Sequence, residues 1–307
     1  MKTVLLTGAS GFIGSHCLDS LLEKGFDVHA VSSRGRRNSY SREVEWHHAD
    51  LHNAEHLLRL MGGVKPHYLM HLAWDVTQGE YWSSLENLRW VKSSISLLQA
   101  FIDSGGRRAV MAGSCAEYDW NYGYCTELLT PLNPATLYGV CKNALNQMGE
   151  AAAREAKISA AWGRIFFIYG PREHPERLVP AVVNGLLNGE EVPCTHGEQI
   201  RDYIYVKDAA AALTRLLVSD VEGPVNIASG QPVVLKEVIG TAAEIAGRPD
   251  LVRLGALAAA EDDPPLLLAN TARLIDEVKW QPQYSLKQGL RETVEWWRQN
   301  RPGRGQV

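Results

Sequence analysis

The chain has 307 residues, 45% of them hydrophobic and 21% charged, with a formal net charge of −4. That length sustains a substantial core in one large domain or two smaller ones, and the slight negative balance gives no reason to expect nucleic acid or anionic membrane as partner. No apolar run approaches the ~18 residues of a membrane span, Met1-Lys2 leads straight into a strand pattern with no room for a signal peptide, and the scattered Cys17, Cys115, Cys125, Cys141 and Cys194 read as reduced thiols of a cytoplasmic protein.

In chain order, the stretch KTVLLTGASGFIGS from Lys2 places a buried strand (Val4, Leu5, Leu6), a glycine-rich turn and an amphipathic helix over 13–22 in immediate succession. Gly8, Gly11 and Gly14 give G-x-x-G-x-x-G, one residue longer between the first two glycines than the commonest dinucleotide fingerprint. The demands are unchanged: a tight turn, close approach of backbone N–H groups to a pyrophosphate, and close packing of helix on strand. Residues 27–31 read as the second strand. The position just beyond it meets the adenosine ribose, where an acidic side chain would select NAD. This chain offers Ser32, Ser33 and Arg34, then Arg36 and Arg37, with no acid before Glu43. A guanidinium suits a phosphate monoester, so NADP (as NADPH) is expected over NAD, with Arg34 as the contact nearest the strand end.

The segment 46–56, WHHADLHNAEH, is rich in histidine, and His52 and His56 would share a helix face at i, i+4. Nothing nearby completes a tetrahedral set, so no metal is expected, and Asp50 and Leu51 read as lining the adenine pocket after the third strand. The fourth strand, 68–72, leads into His71-Leu72-Ala73-Trp74 beneath the cofactor. A long helix follows over 85–101, and a fifth strand, 109–112, delivers Ser114 at its carboxyl end, where open α/β sheets place their ligands. A helix over 136–156 puts Tyr138 and Lys142 on one face. A lysine ammonium beside the phenol, together with an oxidised nicotinamide, is expected to favour the phenolate. Ser114 would donate a hydrogen bond to the substrate oxygen, and Lys142 would hold the ribose hydroxyls. A second Y-x-x-x-K match, Tyr203 to Lys207, sits in a strand-like run whose ends lie ~13 Å apart and cannot couple.

With these residues in place, the chain resembles the extended short-chain dehydrogenase/reductase family, the branch acting on nucleotide sugars as epimerases, dehydratases and ketoreductases. TGASGFIG (7–14) resembles its cofactor turn, ADL (49–51) its adenine contact and HLAW (71–74) its H-x-A-A segment. GSCAEY (113–118) resembles the active-site S-x-x-x-Y run, YGVCK (138–142) the catalytic Tyr and Lys, RIFFIYGP (164–171) the segment closing the site, and RDYIYVKDAA (201–210) the signature whose arginine contacts the substrate diphosphate. NIASG (226–230) and the closing run 279–297 also fit. The resemblance implies a Rossmann-type, doubly wound α/β fold, with a dinucleotide-binding region over 1–168 to which 201–228 returns. A smaller substrate-binding region would comprise 169–200 and 229–307. It implies that Gly8, Ser10, Gly11, Phe12, Ile13, Gly14, Leu72, Ala73, Trp74 and Phe166 meet the cofactor. Ser114, Tyr138 and Lys142 would be catalytic, and Trp74, Ser114, Cys115, Phe167, Arg172 and Arg201 would meet a nucleotide-sugar substrate. A homodimer would form through the 85–101 and Tyr138-bearing helices.

Departures from the family pattern refine the expectation. Members that dehydrate a sugar ring place an acidic pair directly after the active-site hydroxyl residue; Cys115 and Ala116 stand there instead. Glu117, one residue on, would point elsewhere. Phe167 replaces the asparagine before Y-G-P, removing a polar contact. Together with the basic loop these favour NADPH-dependent reduction of a 4-keto-6-deoxy sugar, with an NAD(P)-dependent epimerase using the same residues as the alternative. Arg201 counts against a flavonoid-like ketone, and the intact Ser/Tyr/Lys set counts against a dinucleotide sensor without turnover. Arg172, His174 and Arg177 follow the Y-G-P turn and, with Arg201, could cradle a nucleoside diphosphate, although Arg177 reads better as a solvated surface residue. Trp74, Trp82 and Trp120 are candidates to stack a base or sugar; Trp296 and Trp297 read as packing.

Overall fold

Seven strands pair in parallel as one sheet, in the order Gly223–Ile227, Ser159–Ile165, Arg108–Ser114, Tyr68–His71, Lys2–Thr7, Phe26–Ser32 and Val44–His48. The structure, a computed structural model, describes residues 2–33, 43–260 and 263–300. In chain order its elements are β1 (Lys2–Thr7), α1 (Phe12–Glu23), β2 (Phe26–Ser32), β3 (Val44–His48), α2 (Ala54–Val64), β4 (Tyr68–His71), α3 (Glu86–Asp103) and β5 (Arg108–Ser114). Then come β6 (Tyr124–Cys125), α4 (Leu137–Ala156), β7 (Ser159–Ile165), β8 (Phe167–Tyr169), α5 (Leu178–Asn188), β9 (Val192–Pro193), β10 (Ile200–Tyr205) and α6 (Val206–Val218). The chain closes with β11 (Gly223–Ile227), β12 (Pro232–Val234), α7 (Leu235–Ala246), β13 (Val252–Arg253), β14 (Leu266–Ala269) and α8 (Leu286–Gln299).

The central strands are buried on both faces, as helices on both sides of a parallel sheet require. Alternation along them splits the core. Val4, Leu6, Val28 and Ala30 pack beneath α1 and α6 with Leu18, Leu21 and Leu213, while Leu5, Val31 and Leu69 face α2 and α3 with Leu57, Leu97 and Phe101. A further core joins α5, α7 and α8 through Val183, Val238, Ile239 and Leu290. The smaller sheet runs β12-β10-β14-β6, with β8 also paired to β10.

The expected Rossmann-type architecture is thus observed. One detail differs from the expected division of the chain. Of the segment 201–228, only α6 and β11 return to the large sheet, because β10 pairs with β12, β14 and β8 instead. No helix among the described residues is long and apolar enough to cross a membrane.

Candidate active site

The glycine turn between β1 and α1 forms the floor of a cleft of about 560 Å³ that opens between the large sheet and the smaller one. Gly8 holds φ +70°, and a Cβ there would come within 2.8 Å of the Ala73 backbone nitrogen; a Cβ on Gly14 would collide with the Gly8 carbonyl. The turn is closed by Gly11 N–H donating to the Gly8 carbonyl at 2.9 Å. Helix α1 starts at Gly11 without a side-chain cap or an acid in its first turn. Its N-terminal donors and positive dipole end therefore suit an anion, and the residues fit a dinucleotide pyrophosphate. The cradle is braced from below. The Thr7 hydroxyl lies 2.6 Å from His71 Nδ1, and His71 Nε2 lies 2.8 Å from the Ser94 hydroxyl. Burial pushes the His71 pKa down to about 3, so this imidazole is a neutral strut.

Gly8, Gly11, Phe12, Ile13, Gly14, Leu72, Ala73, Trp74 and Phe166 line the cleft. Ser10 lies beyond it, its hydroxyl 3.3 Å from that of Ser32 at the end of β2, with Ser33 next in the chain. Arg34, on which the phosphate-monoester expectation rests, lies outside the described residues. Asp50 and Leu51 follow β3, but the Leu51 side chain is packed into the core, and an Asp50 oxygen accepts from His52 N–H. His52 and His56 do not share a helix face, because α2 begins only at Ala54. His52 Nδ1 pairs with the Ser93 hydroxyl at 2.6 Å, and His56 Nδ1 accepts from Asp50 N–H.

Ser114, Tyr138 and Lys142 meet in the cleft. Thr136 caps α4, its hydroxyl accepting Gly139 N–H at 3.1 Å, which places Tyr138 in the first turn and Lys142 one turn on. Lys142 Nζ donates to the Ala112 carbonyl at 2.9 Å and stands 3.8 Å from the centroid of the Trp74 ring. The Tyr138 ring is boxed edge-on by Tyr81, Trp82 and Trp74, at centroid distances of 5.1, 5.7 and 6.3 Å. The expected acidified phenol is not what this geometry gives by itself. Burial raises the Tyr138 pKa above its ordinary value, and only contact with the Ser114 hydroxyl offsets it in part. Burial also pulls Lys142 down to about 7, with the Glu117 carboxylate opposing it. Desolvation disfavours the charged form of both groups, so it raises one and lowers the other.

Lys142 therefore carries a pH-dependent cost. Its ammonium is destabilised in the fold, with a value near 7 against 10.5 for an ordinary lysine. Below pH 7 both folded and unfolded chains hold the proton and the cost is complete; between 7 and 10.5 only the unfolded chain holds it, and the cost fades. Lys142→Met is expected to melt higher than the parent protein at pH 6, with the advantage vanishing toward pH 10, as thermal melts across pH would register. An advantage that grows with pH would contradict this account.

Glu117 points elsewhere, as expected, and its destination is informative. Its side chain turns into the core, accepting from Arg164 Nε at 2.8 Å, from Trp162 Nε1 at 2.9 Å and from the backbone N–H of Ser114 at 2.8 Å. It thereby fixes the strand end that presents the Ser114 hydroxyl. Cys115 lines the cleft, but burial pushes its thiol up to about 12, leaving it an unreactive wall.

On the substrate side, Phe167, Arg201 and Tyr203 line the cleft. Arg201 is buried, its Nη2 bonded to Asp263 at 2.5 Å and its guanidinium 5.5 Å from the centre of the Phe167 ring. Arg172 and Arg177 exchange the places assigned to them. Arg172 lines a separate surface recess with His16 and Lys207, whereas Arg177, read as solvated, reaches the cleft and the Tyr81 hydroxyl. Glu173, beside it, is buried with Oε2 lacking a partner among the described residues, and its carboxyl is pushed up to about 8 by burial. Sequence reasoning missed Tyr81 and Glu173, and it named Arg177 among the cations that could cradle a diphosphate while preferring a solvated place for it. Of the two missed residues, only Tyr81, beside Trp82, carried a local signal. Tyr203 and Lys207 are split between β10 and α6, and Lys207 pairs with Glu292.

The family model described as NAD dependent epimerase/dehydratase family matches residues 4–228. The UDP-glucose 4-epimerase of Thermotoga maritima, solved with UDP-glucose, is 26% identical, superimposes with a TM-score of 0.85 and is covered over 99% of its chain by 97% of this one. The UDP-glucose 4-epimerase of Thermus thermophilus in complex with NAD is also 26% identical, with a TM-score of 0.82 and coverage of 96% of this chain and 99% of that one. A dTDP-6-deoxy-L-talose 4-dehydrogenase (NAD(+)) of Aggregatibacter actinomycetemcomitans is 26% identical over 243 residues, 77% of this chain and 87% of the relative.

Proposed function

Because the chain belongs to the NAD-dependent epimerase/dehydratase family, we propose that it transfers hydride at a hydroxyl- or keto-bearing carbon of a nucleotide-linked sugar. Its net direction is reduction of a 4-keto-6-deoxy sugar with NADPH. The observation that carries this reading is the convergence of Ser114, Tyr138 and Lys142 in one cleft over the glycine turn, with Cys115 and Ala116 where ring dehydration would need an acid and a base. The turn from Gly8 to Gly14, with Ser10, Ser32, Ser33, Asp50 and Leu51 around the adenosine half and Leu72, Ala73, Trp74 and Phe166 around the other, would hold the dinucleotide. When bound, that dinucleotide supplies the hydride. Ser114 hydrogen-bonds the substrate oxygen. Tyr138, kept protonated by its aromatic box, delivers the proton that the developing alkoxide needs, and Lys142 orients the ribose and answers the charge left on the phenol. Arg201 and Arg177 face the diphosphate and sugar across the cleft.

Positions 32 and 33 at the end of β2 are serines rather than the acid that selects NAD, which supports NADPH. Epimerisation with NAD is the second reading, favoured by the likeness to two UDP-glucose 4-epimerases, one of them in complex with NAD. The name of the talose 4-dehydrogenase supports net redox chemistry at a 6-deoxy sugar. Leu85, Leu88, Val140 and Met148, exposed before and along α3 and on α4, support a homodimer through these helices.

Incubating the protein with nucleotide 4-keto sugars and NADPH or NADH, while following nicotinamide absorbance, tests the reaction. We expect one dinucleotide oxidised per sugar reduced, and faster oxidation of NADPH. Isomerised sugar with no dinucleotide consumed would establish the epimerase instead.

A further inference from the structure

The large sheet ends in β3, and the pairing of this edge strand gathers side chains that lie 18 residues apart in the chain. Strands β2 and β3 run in parallel with His29 opposite Glu45 and Val31 opposite His47. Side chains two apart on a strand share a face, so Asp27 and His29 stand beside Glu45 and His47. His29 Nδ1 lies 2.8 Å from His47 Nε2. One Glu45 oxygen is 3.8 Å from His29 Nδ1, and the other is 3.7 Å from His47 Nε2. Behind the first imidazole, His29 Nε2 stands 3.3 Å from the Asp27 carboxylate.

We propose that this edge is a binding site for a divalent transition-metal ion of tetrahedral preference, zinc above all, with His29 Nδ1, His47 Nε2 and the Glu45 carboxylate as ligands and Asp27 orienting His29. Donors around a tetrahedral zinc stand about 3.4 Å apart; the two imidazole nitrogens, 2.8 Å apart, and a Glu45 oxygen 3.7 Å from His47 Nε2 lie on either side of that value. A carboxylate behind a ligating imidazole is the partner such sites use to fix the tautomer. Asp27 can only accept, so it draws the proton to His29 Nε2 and leaves the Nδ1 lone pair facing the cluster. Two nitrogens and an oxygen suit zinc better than calcium or magnesium, which take oxygen ligands. Glu45, 65% exposed in its side chain, leaves the fourth position open to water and the ion free to exchange. The ion would tie the edge strand to its neighbour, and because it binds the folded chain alone it stabilises the fold by mass action.

The test is calorimetric titration of chelator-treated full-length protein with zinc chloride, with thermal melts and the visible spectrum of the cobalt-loaded protein. We expect one ion per chain, a higher melting temperature and the intense visible bands of tetrahedral cobalt. His47→Ala should abolish the cobalt bands, and Glu45→Gln and Asp27→Asn should each weaken binding by about 10–100-fold. Glu45→Gln, on the exposed rim, should leave nicotinamide turnover unchanged. If His47→Ala does not fold, Glu45→Gln carries the test by itself. Absence of zinc binding by the parent protein, or undiminished affinity in Glu45→Gln, would mean that the histidine pair is merely hydrogen-bonded, and would overturn the site.

Discussion

Tyr138→Phe is expected to lower turnover by about 10²–10⁴-fold, the range for loss of a positioned proton donor, while leaving dinucleotide affinity within a few-fold of the parent. The substitution removes one oxygen and nothing else from a ring packed against Tyr81, Trp82 and Trp74. The aromatic box, the helix cap at Thr136 and the Ala112–Lys142 hydrogen bond all survive it. The fall should appear in kcat rather than KM, because the phenolic proton is needed only as charge develops on the substrate oxygen. Steady-state rates for the parent and variant with a nucleotide 4-keto sugar, paired with fluorescence titration of the dinucleotide, would measure both. A variant retaining more than a tenth of the parent kcat would remove Tyr138 from the chemistry.

Glu117→Ala is expected to cost about 3–5 kcal/mol of stability, the range for breaking one side of a buried ion pair. Both side chains are essentially inaccessible, at 1% for Arg164 and 0% for Glu117. Removal of the carboxylate leaves the Arg164 guanidinium facing uncharged acceptors such as the Tyr118 hydroxyl and the Glu127 carbonyl. It also strips the Trp162 indole and the Ser114 N–H of their acceptor. Urea denaturation of the parent, Glu117→Ala and the double variant Glu117→Gln/Arg164→Met would measure the loss. The double variant should recover much of it, because no uncompensated charge remains buried. Equal instability of the two variants would show that the side chains matter for volume rather than charge.

The division between what was legible in the chain and what was not follows the range of the interactions. Strand β1, the glycine turn and α1 were readable because their signals are local: continuous apolar residues, then glycines at spacings that a backbone turn and a close helix approach demand. Tyr138 and Lys142 were readable for the same reason, since helical spacing alone puts them on one face. Family motifs recorded the order of the remaining strands. Local pattern could not say that Arg177 enters the cleft while Arg172 leaves it, since both sit in one charged turn leading into α5, whose place is set by packing against α7 and α8.

The chain by itself determined the parallel sheet, the glycine turn and the shared helix face of Tyr138 and Lys142, because periodicity and spacing act over a few residues. The tertiary structure alone decided the electrostatics. Burial, not the neighbouring ammonium, governs the Tyr138 phenol, Glu117 is spent on Arg164 and the Ser114 backbone, and in-register pairing of β2 with β3 brings His29 to His47. Desolvation and cross-strand contact depend on what surrounds a side chain in space, and sequence spacing carries no record of that.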